Sequence, residues 1–340
     1  MFWREDDNMN VLVTGGAGYI GSFITHLLTE RGHKPIVYDN LSLGHREAVG
    51  KGIELIEGDL SDRGLLGRTF TTAGVDAVMH FAAFSAVGES MEDPLSYYHN
   101  NVANTVNLLG AMKDAGIQHF IFSSSAAVYG NPKDIPIKEG HPQEPINPYG
   151  QAKSVVERIL ADASMAYGSR YVSLRYFNAA GAHPDGNMGE DHRKETHLIP
   201  LVLKSILGEA AGGRPLNVFG TDYDTPDGTC IRDYIHVLDL GEAHILALEY
   251  LAGGGESEIF NLGNGRGFSV SEVIGTAEEV TGRSVPVVHG ERRAGDPPVL
   301  VAGSEKISEK LGWRPQFPEL KAIVETAWKW HSSHPQGYGE

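Results

Sequence analysis

Short apolar runs alternate with longer segments of helical periodicity through the first half of the chain. Runs at 10–14, 34–38, 53–56, 76–81, 117–123 and 170–175 read as strands, with 21–31, 95–115 and 150–167 as helices between them. Alternation of this kind predicts βαβ units and a parallel sheet covered on both faces. After about residue 180 the pattern changes. Loops rich in Gly, Pro and Asp at 181–192, 212–215, 220–229 and 290–298 separate helical stretches at 197–208, 237–251, 270–281 and 320–331. The second half therefore reads as a smaller, loop-rich lobe beside the sheet. Residues 1–8 precede the first strand and read as a disordered extension or an alternative start. No internal repeat or low-complexity tract is present.

The first strand runs directly into Thr14-Gly15-Gly16-Ala17-Gly18-Tyr19-Ile20-Gly21, which opens a helix. Glycines at 15, 18 and 21 permit a tight turn and close approach of the backbone to a pyrophosphate, which the N–H groups of the helix start can hold. A glycine turn alone also suits a plain flexible connection. Asp39 adds weight, because it closes the second strand 18 residues after Gly21. A carboxylate there can accept hydrogen bonds from adenosine ribose hydroxyls and repel a 2′-phosphate, so NAD is expected over NADP. The other reading of Asp39 is a cap on the following turn. Asp59 ends the third strand and can accept a bond from an adenine amino group.

Tyr149 and Lys153 lie four residues apart, on one face of a helix that Asn147 can cap and Pro148 can begin. The helix dipole and the lysine charge are both expected to lower the Tyr149 pKa and make it a base. Taken alone, such a pair is more often a surface feature. Ser123-Ser124-Ser125 ends an apolar strand about 25 residues earlier. Ligands bind at the carboxyl ends of strands in open parallel sheets, so a serine there can pass a proton to Tyr149. The alternative is a polar strand end without chemistry, the preferred reading for Ser123.

Composition narrows the partners. Apolar residues make up 41% and charged residues 21% of 340, ordinary for a globular protein. The net charge of −16 argues against nucleic acid and against an anionic membrane. Cys230 is the single cysteine, which excludes an intramolecular disulfide and a thiolate metal cluster. The 15 histidines show no H-E-x-x-H pattern, and no catalytic metal is expected. With no apolar run long enough to span a bilayer and no signal sequence, a cytosolic location is expected.

Glycine loop, Asp39, serine run and Tyr149/Lys153 occur in the order and at the distances of one active-site plan. The sequence resembles the extended short-chain dehydrogenase/reductase family over essentially residues 9–340, and within it the branch acting on C4 of UDP-hexoses. Specific segments are Val11–Gly21, His80–Ala83 with Ala86–Ser90, Tyr97–Val102, Phe120–Gly130, Arg175–Pro184, Gly228–Val237 and His334–Tyr338. The resemblance implies an α/β fold: a Rossmann-type doubly wound parallel sheet over 9–180 and a smaller mixed α/β substrate lobe over 181–340, with a segment near 232–262 returning to the first domain. It makes Tyr149 the base, Lys153 the ligand of the nicotinamide ribose and Ser125 the third catalytic residue.

NAD would meet Gly15, Gly18, Tyr19, Ile20, Gly21, Asp39, Asn40, Asp59, Leu60, Phe81, Ala82, Ala83, Asn100, Ser123 and Phe177, besides Tyr149 and Lys153. A UDP-sugar would meet Ser125, Tyr149, Asn178, His197, Leu198, Asn217, Arg232, Tyr234, Arg293, Asp296 and Leu300. Arg232 and Arg293 would take the diphosphate, which an arginine can grip bidentately; without the family match, either reads equally well as an ordinary salt-bridge residue. Asp296 would take a uridine ribose hydroxyl. The implied reaction interconverts UDP-galactose and UDP-glucose through a 4-keto sugar and tightly bound NAD, in a homodimer. UDP-N-acetylhexosamines are possible further substrates, since Leu300 stands where a bulky Tyr accompanies hexose-only enzymes. UDP-pentose or UDP-glucuronate epimerisation, and a non-catalytic NAD-sensing module, are the alternatives. The acidic residues that a 4,6-dehydratase or a decarboxylase carries after its Thr/Ser are absent from Ser125-Ala126-Ala127-Val128-Tyr129. Two positions depart from the family. Ser85 stands where Lys is frequent, removing one positive charge near the cofactor phosphates. His197 stands where many members have Asn beside the substrate phosphate, which makes its charge depend on pH.

Overall fold

The computed structural model describes residues 8–208, 213–292 and 297–339, so the expected extension at 1–8 lies almost entirely outside the described residues. The chain begins with β1 (Asn10–Thr14), α1 (Tyr19–Glu30), β2 (Lys34–Asp39), β3 (Glu54–Glu57), α2 (Arg63–Ala73) and β4 (Ala77–His80). Three helices follow, α3 (Val87–Glu92), α4 (Pro94–Tyr98) and α5 (Asn104–Ala115), before β5 (His119–Ser125), α6 (Pro148–Tyr167) and β6 (Arg170–Tyr176). Next come β7 (Asn178–Ala180), α7 (Leu198–Leu207), β8 (Leu216–Phe219), β9 (Ile231–His236), α8 (Val237–Ala252) and β10 (Glu258–Leu262). The chain closes with β11 (Gly267–Ser269), α9 (Val270–Thr281), β12 (Val287–Gly290), β13 (Val299–Leu300), α10 (Glu305–Leu311) and α11 (Leu320–Ser333).

Seven strands form one parallel sheet in the order β10-β6-β5-β4-β1-β2-β3. This is the Rossmann-type order, with its switch point between β1 and β4. Alternation along the strands builds two cores. Val11, Val13, Met79, Ile121 and Leu174 face α1 and α8, where Ile24, Leu28, Leu240 and Leu248 bury. Leu12, Val78, Phe120 and Phe122 face the other way, onto Leu66 and Phe70 of α2, Leu108 and Met112 of α5, and Val156 and Leu160 of α6. Strands buried on both faces read as continuous apolar runs, which is why they are legible in the sequence.

A smaller mixed α/β lobe joins β7, β9, β11 and β13 in one sheet and β8 with β12 in another. Its core holds Ile199, Val202, Val273, Ile323 and Val324 from α7, α9 and α11. Short strands such as β8 and β12 carry too little periodicity to be found by pattern. The expected helix at 95–115 is also interrupted. A π-helical turn, His99–Ala103, joins α4 to α5 and bulges Asn100 and Asn101 out of regular spacing. β5 runs through the serines to Ser125 instead of stopping at Ser123.

One buried polar network fixes α6 against the sheet. Glu157 of α6 pairs with Arg175 of β6 (Nε–Oε1 2.9 Å, Nη2–Oε2 2.5 Å), with the side chains 3% and 2% exposed. Ser124 Oγ and Gln143 Nε2 also donate to Glu157, at 2.6 and 3.0 Å. Arg175 Nη1 donates to the Tyr129 hydroxyl (2.8 Å), which donates to Asn261 of β10 (2.6 Å). Removing one partner of such a pair strands the other charge. Glu157→Ala should therefore lower the unfolding free energy by about 3–5 kcal/mol. A urea midpoint unchanged from wild type would refute this.

Candidate active site

The glycine turn leaves β1 at the switch point of the sheet. Gly15 has φ +73°, and its N–H donates to Tyr38 O at 3.0 Å. A Cβ on Gly15 would lie 2.5 Å from Ala82 N, and one on Gly21 only 2.1 Å from Gly15 O. Both positions therefore require glycine, because backbone cannot yield that far. Gly18 precedes α1, whose first-turn N–H groups have no intrahelical partners. This is the cradle an anionic dinucleotide needs.

A cleft opens beside it, lined by Gly15, Gly18, Asp39, Asn40, Asp59 and Leu60 on one side. Phe81, Ala82, Ala83 and Asn100 line the other. The side chains of Tyr19 and Ile20 turn away from this cleft into apolar clusters, so these residues have only backbone to offer it. Asp39 is buried at its rim, where Oδ2 accepts from Ala17 N (3.0 Å) and Oδ1 from Leu41 N (2.8 Å). Capping of the local turn and availability to a ligand are thus not exclusive, since each oxygen keeps a lone pair. Burial raises the Asp39 pKa, and the two N–H donors oppose that rise. Asn40 Nδ2 donates to Asp59 Oδ2 at 2.8 Å, tying the ends of β2 and β3. Ser85 is exposed.

The carboxyl end of β5 meets the start of α6. Asn147 caps α6 by accepting from Gly150 N at 2.8 Å, and Pro148 occupies the first turn. Tyr149 is buried, and the Ser125 hydroxyl beside it works against the effect of that burial on the phenol. Lys153 Nζ donates to Ser123 O at 2.7 Å and lies 5.8 Å from the Tyr149 ring centre. The serine run splits by the pleat of the strand. Ser123 Oγ meets the Tyr176 hydroxyl at 2.8 Å, Ser124 joins the Glu157 network and Ser125 faces Tyr149. The expected lowering of the Tyr149 pKa does not hold for the protein alone. Burial pushes the phenol up, with the Ser125 hydroxyl pulling against it. The same burial brings Lys153 down to about 7. Positive charge added beside Tyr149 would act in the direction a base requires.

A second cavity lies in the smaller lobe. Asn178, His197, Leu198, Asn217, Arg232 and Tyr234 all line it, although they come from four separate stretches of sequence. Asn178 Nδ2 donates to Asp233 O at 2.8 Å, joining β7 to β9. Phe177 and Leu300 pack together on the turn Ala126–Tyr129 that follows Ser125, and Leu300 sits opposite Arg232 in the sheet. These contacts bring the Tyr149 region and the second cavity to a common border. Arg293 and Asp296 lie outside the described residues. Beside His197 stands a group that pattern reading missed: Glu190, His192, Glu195 and His197 offer ligand atoms all within 4.8 Å of one another. They occupy a loop, where no helical or strand spacing announces them.

These features match a known class. The chain matches the model of the NAD dependent epimerase/dehydratase family over residues 11–263, and it belongs to that family. It is 49% identical to the UDP-glucose 4-epimerase of Lacticaseibacillus casei, over 98% of this chain and 99% of that one. The UDP-glucose 4-epimerase of Brucella ovis in complex with NAD superposes with a TM-score of 0.90 at 52% identity, covering 94% of this chain and 97% of that one. That of Bifidobacterium longum, in complex with NAD+ and UDP, gives 0.91 at 39% identity, covering 96% and 99%.

The geometry at Asp39 generates a cofactor test. Protein stripped of nucleotide should bind NAD in strong preference to NADP, and Asp39→Asn should narrow the gap by removing the charge that repels a 2′-phosphate. Equal affinities in wild type, measured by calorimetry, would assign Asp39 to the turn alone.

Proposed function

We infer that this protein interconverts UDP-galactose and UDP-glucose by inverting the sugar at C4, with NAD held in the glycine cleft. The observation that carries the reading is the meeting of Tyr149, Ser125 and Lys153 at the strand ends between a dinucleotide cradle and a second, Arg-bearing cavity. NAD bound there supplies reversible oxidation at C4, so the sugar passes through a 4-keto form and the cofactor ends as it began. Tyr149 takes the 4-hydroxyl proton and later returns it. Ser125, beside Tyr149, offers the path between phenol and sugar. Lys153, fixed by Ser123 O, brings positive charge toward the phenol and a donor toward the nicotinamide ribose. Asn178, His197, Leu198, Asn217, Arg232 and Tyr234 would hold the UDP portion, with Arg293 and Asp296 completing it. An acidic chain needs such local basic groups to keep a diphosphate. The proposed division is a cofactor domain over 9–180 and a mainly substrate-binding part over 181–340; of the expected returning segment 232–262, β9 stays in the smaller sheet and α8 with β10 returns to the first domain.

A homodimer fits the exposed apolar side chains of Met91, Leu95 and Val106, which project from the helical stretch between β4 and β5. A cytosolic location accords with the single cysteine and with the lack, among the described residues, of any helix long and apolar enough to cross a membrane.

The direct assay mixes purified protein with UDP-galactose, without added NAD, and follows UDP-glucose. No conversion, with turnover of a UDP-pentose or UDP-glucuronate instead, would move the reading to that substrate. Tyr149→Phe should cost at least about 10²-fold in kcat while leaving NAD binding intact. Near wild-type turnover would remove Tyr149 from the role of base.

Substrate range rests on Leu300. Leu lacks the ring and hydroxyl of Tyr and leaves more room beside Phe177 and Ala126. A pocket excludes an added acetamido group only by clash or by unpaired polar atoms. UDP-N-acetylglucosamine should therefore be epimerised, and Leu300→Tyr should depress its kcat/KM selectively. Wild type inactive on the acetylated sugar would show that another residue closes the pocket.

A further inference from the structure

The loop between β7 and α7 carries Glu190, His192, Glu195 and His197 with their donor atoms converging on one point. His192 Nδ1 lies 3.3 Å from Glu190 Oε1 and 3.4 Å from Glu195 Oε2. His197 Nδ1 lies 2.7 Å from Glu190 Oε1 and 3.2 Å from Glu195 Oε1. In a tetrahedral zinc site with ligand distances of about 2.0–2.1 Å, neighbouring ligand atoms are about 3.3 Å apart. With Oε2 as the Glu195 ligand atom, the two separations from His192 fall at that edge length, and the His197–Glu190 contact is shorter.

Glu190 lies at the centre of the group: its side chain is only 3% exposed, and its Oε1 accepts no well-aligned hydrogen bond despite the two imidazole nitrogens beside it. Burial lowers and the two carboxylates raise the pKa of both imidazoles, and the carboxylates prevail. A buried carboxylate oxygen in that state needs positive charge in the space it faces, which either two imidazole protons or one divalent ion can supply. The other donors are held in place. Glu195 Oε1 accepts from the backbone N–H groups of Thr196 and His197, both at 2.8 Å. The Glu190 carbonyl accepts from Trp330 Nε1 at 3.1 Å, and the His192 ring packs edge-on against Tyr19.

We propose that Glu190, His192, Glu195 and His197 form a four-coordinate site for a divalent transition-metal cation of the zinc type. Two carboxylates neutralise such an ion, and two imidazoles with two carboxylates form a borderline donor set that suits zinc better than magnesium or calcium. Four protein ligands make the site closed, hence structural in character. His197 also lines the second cavity. Binding through Nδ1 fixes its tautomer and leaves Nε2–H as the ring's remaining polar group, a donor suited to an anion. The site would thus pin the loop and preset one wall of that cavity.

Metal binding can be read without any assay of turnover. Full-length protein is stripped with a chelator, desalted, loaded with zinc sulphate, and its metal counted after gel filtration. Wild type should retain one equivalent per chain. His192→Ala should weaken binding by more than the roughly 10–100-fold seen when only outer partners of a site are removed. NAD binding of the variant serves as the check that it folds. Cobalt loaded into wild type should give the intense visible absorption of a four-coordinate centre, a readout that survives even if the variant does not fold. No retained equivalent in wild type, an unchanged equivalent in folded His192→Ala, or weak six-coordinate cobalt bands would each overturn the proposal.

Discussion

The pairing of Glu157 with Arg175 inside the protein is the constraint on which the active region depends. Two charges with almost no access to solvent must satisfy each other, and they can do so only when α6 sits at one height on the sheet. Ser124 reports the end of β5 to the same carboxylate, and Tyr129 reports the turn after Ser125 to the same guanidinium. Asn261 extends the network to β10. Tyr149 and Lys153 stand on the helix so fixed, and Ser125 on the strand. The spacing between phenol and serine is therefore set by groups that touch neither a cofactor nor a substrate. Apolar packing could hold the helix with similar strength, but not with the same angular definition, since dispersion is non-directional and hydrogen bonds are not.

Charge economy shapes the remainder. The chain carries a large negative excess, yet its ligands are anions. Backbone N–H groups, which have no counter-charge, are free to take one anion at the start of α1. For the other, Arg232 stands on the cavity wall. Two buried carboxylates are surrounded by backbone donors: Asp39 by two amides and Asp233 by the amides of Asn264, Gly265 and Ala302.

Much of this was legible in the sequence, for identifiable reasons. Most strands of the sheet are buried on both faces and spell short apolar runs, so six of the seven are legible from the pattern of apolar positions, although β3 at the edge is only partly buried. The glycine turn, Asp39 and Tyr149/Lys153 are local signals, each tied to one strand end or one helical turn. What the sequence hid depends on distance or on burial. Nothing in the spacing of Glu157 and Arg175 says that both are enclosed. Asn178, His197, Asn217 and Arg232 converge through folding of separate loops and short strands, and only family resemblance brought them together. The Tyr149 pKa moves opposite to the sequence expectation because burial, which spacing does not reveal, dominates at the phenol.

Tyr19 has a consequence beyond its place in the glycine turn. By sequence it belongs to the nucleotide loop; in space its ring lies against Phe23 in a cluster with Val237, and its hydroxyl donates to Gly181 O at 2.6 Å. Any opening of that loop would thus pull on Gly181 and Val237 in the second half of the chain. Loosening it breaks buried contacts in both halves at once. The barrier to escape then belongs to the protein's own cohesion, over and above whatever the ligand's contacts provide. Residence time, more than affinity, is what such an arrangement lengthens, and an enzyme that must not lose its redox partner between two half-reactions is served by that quantity.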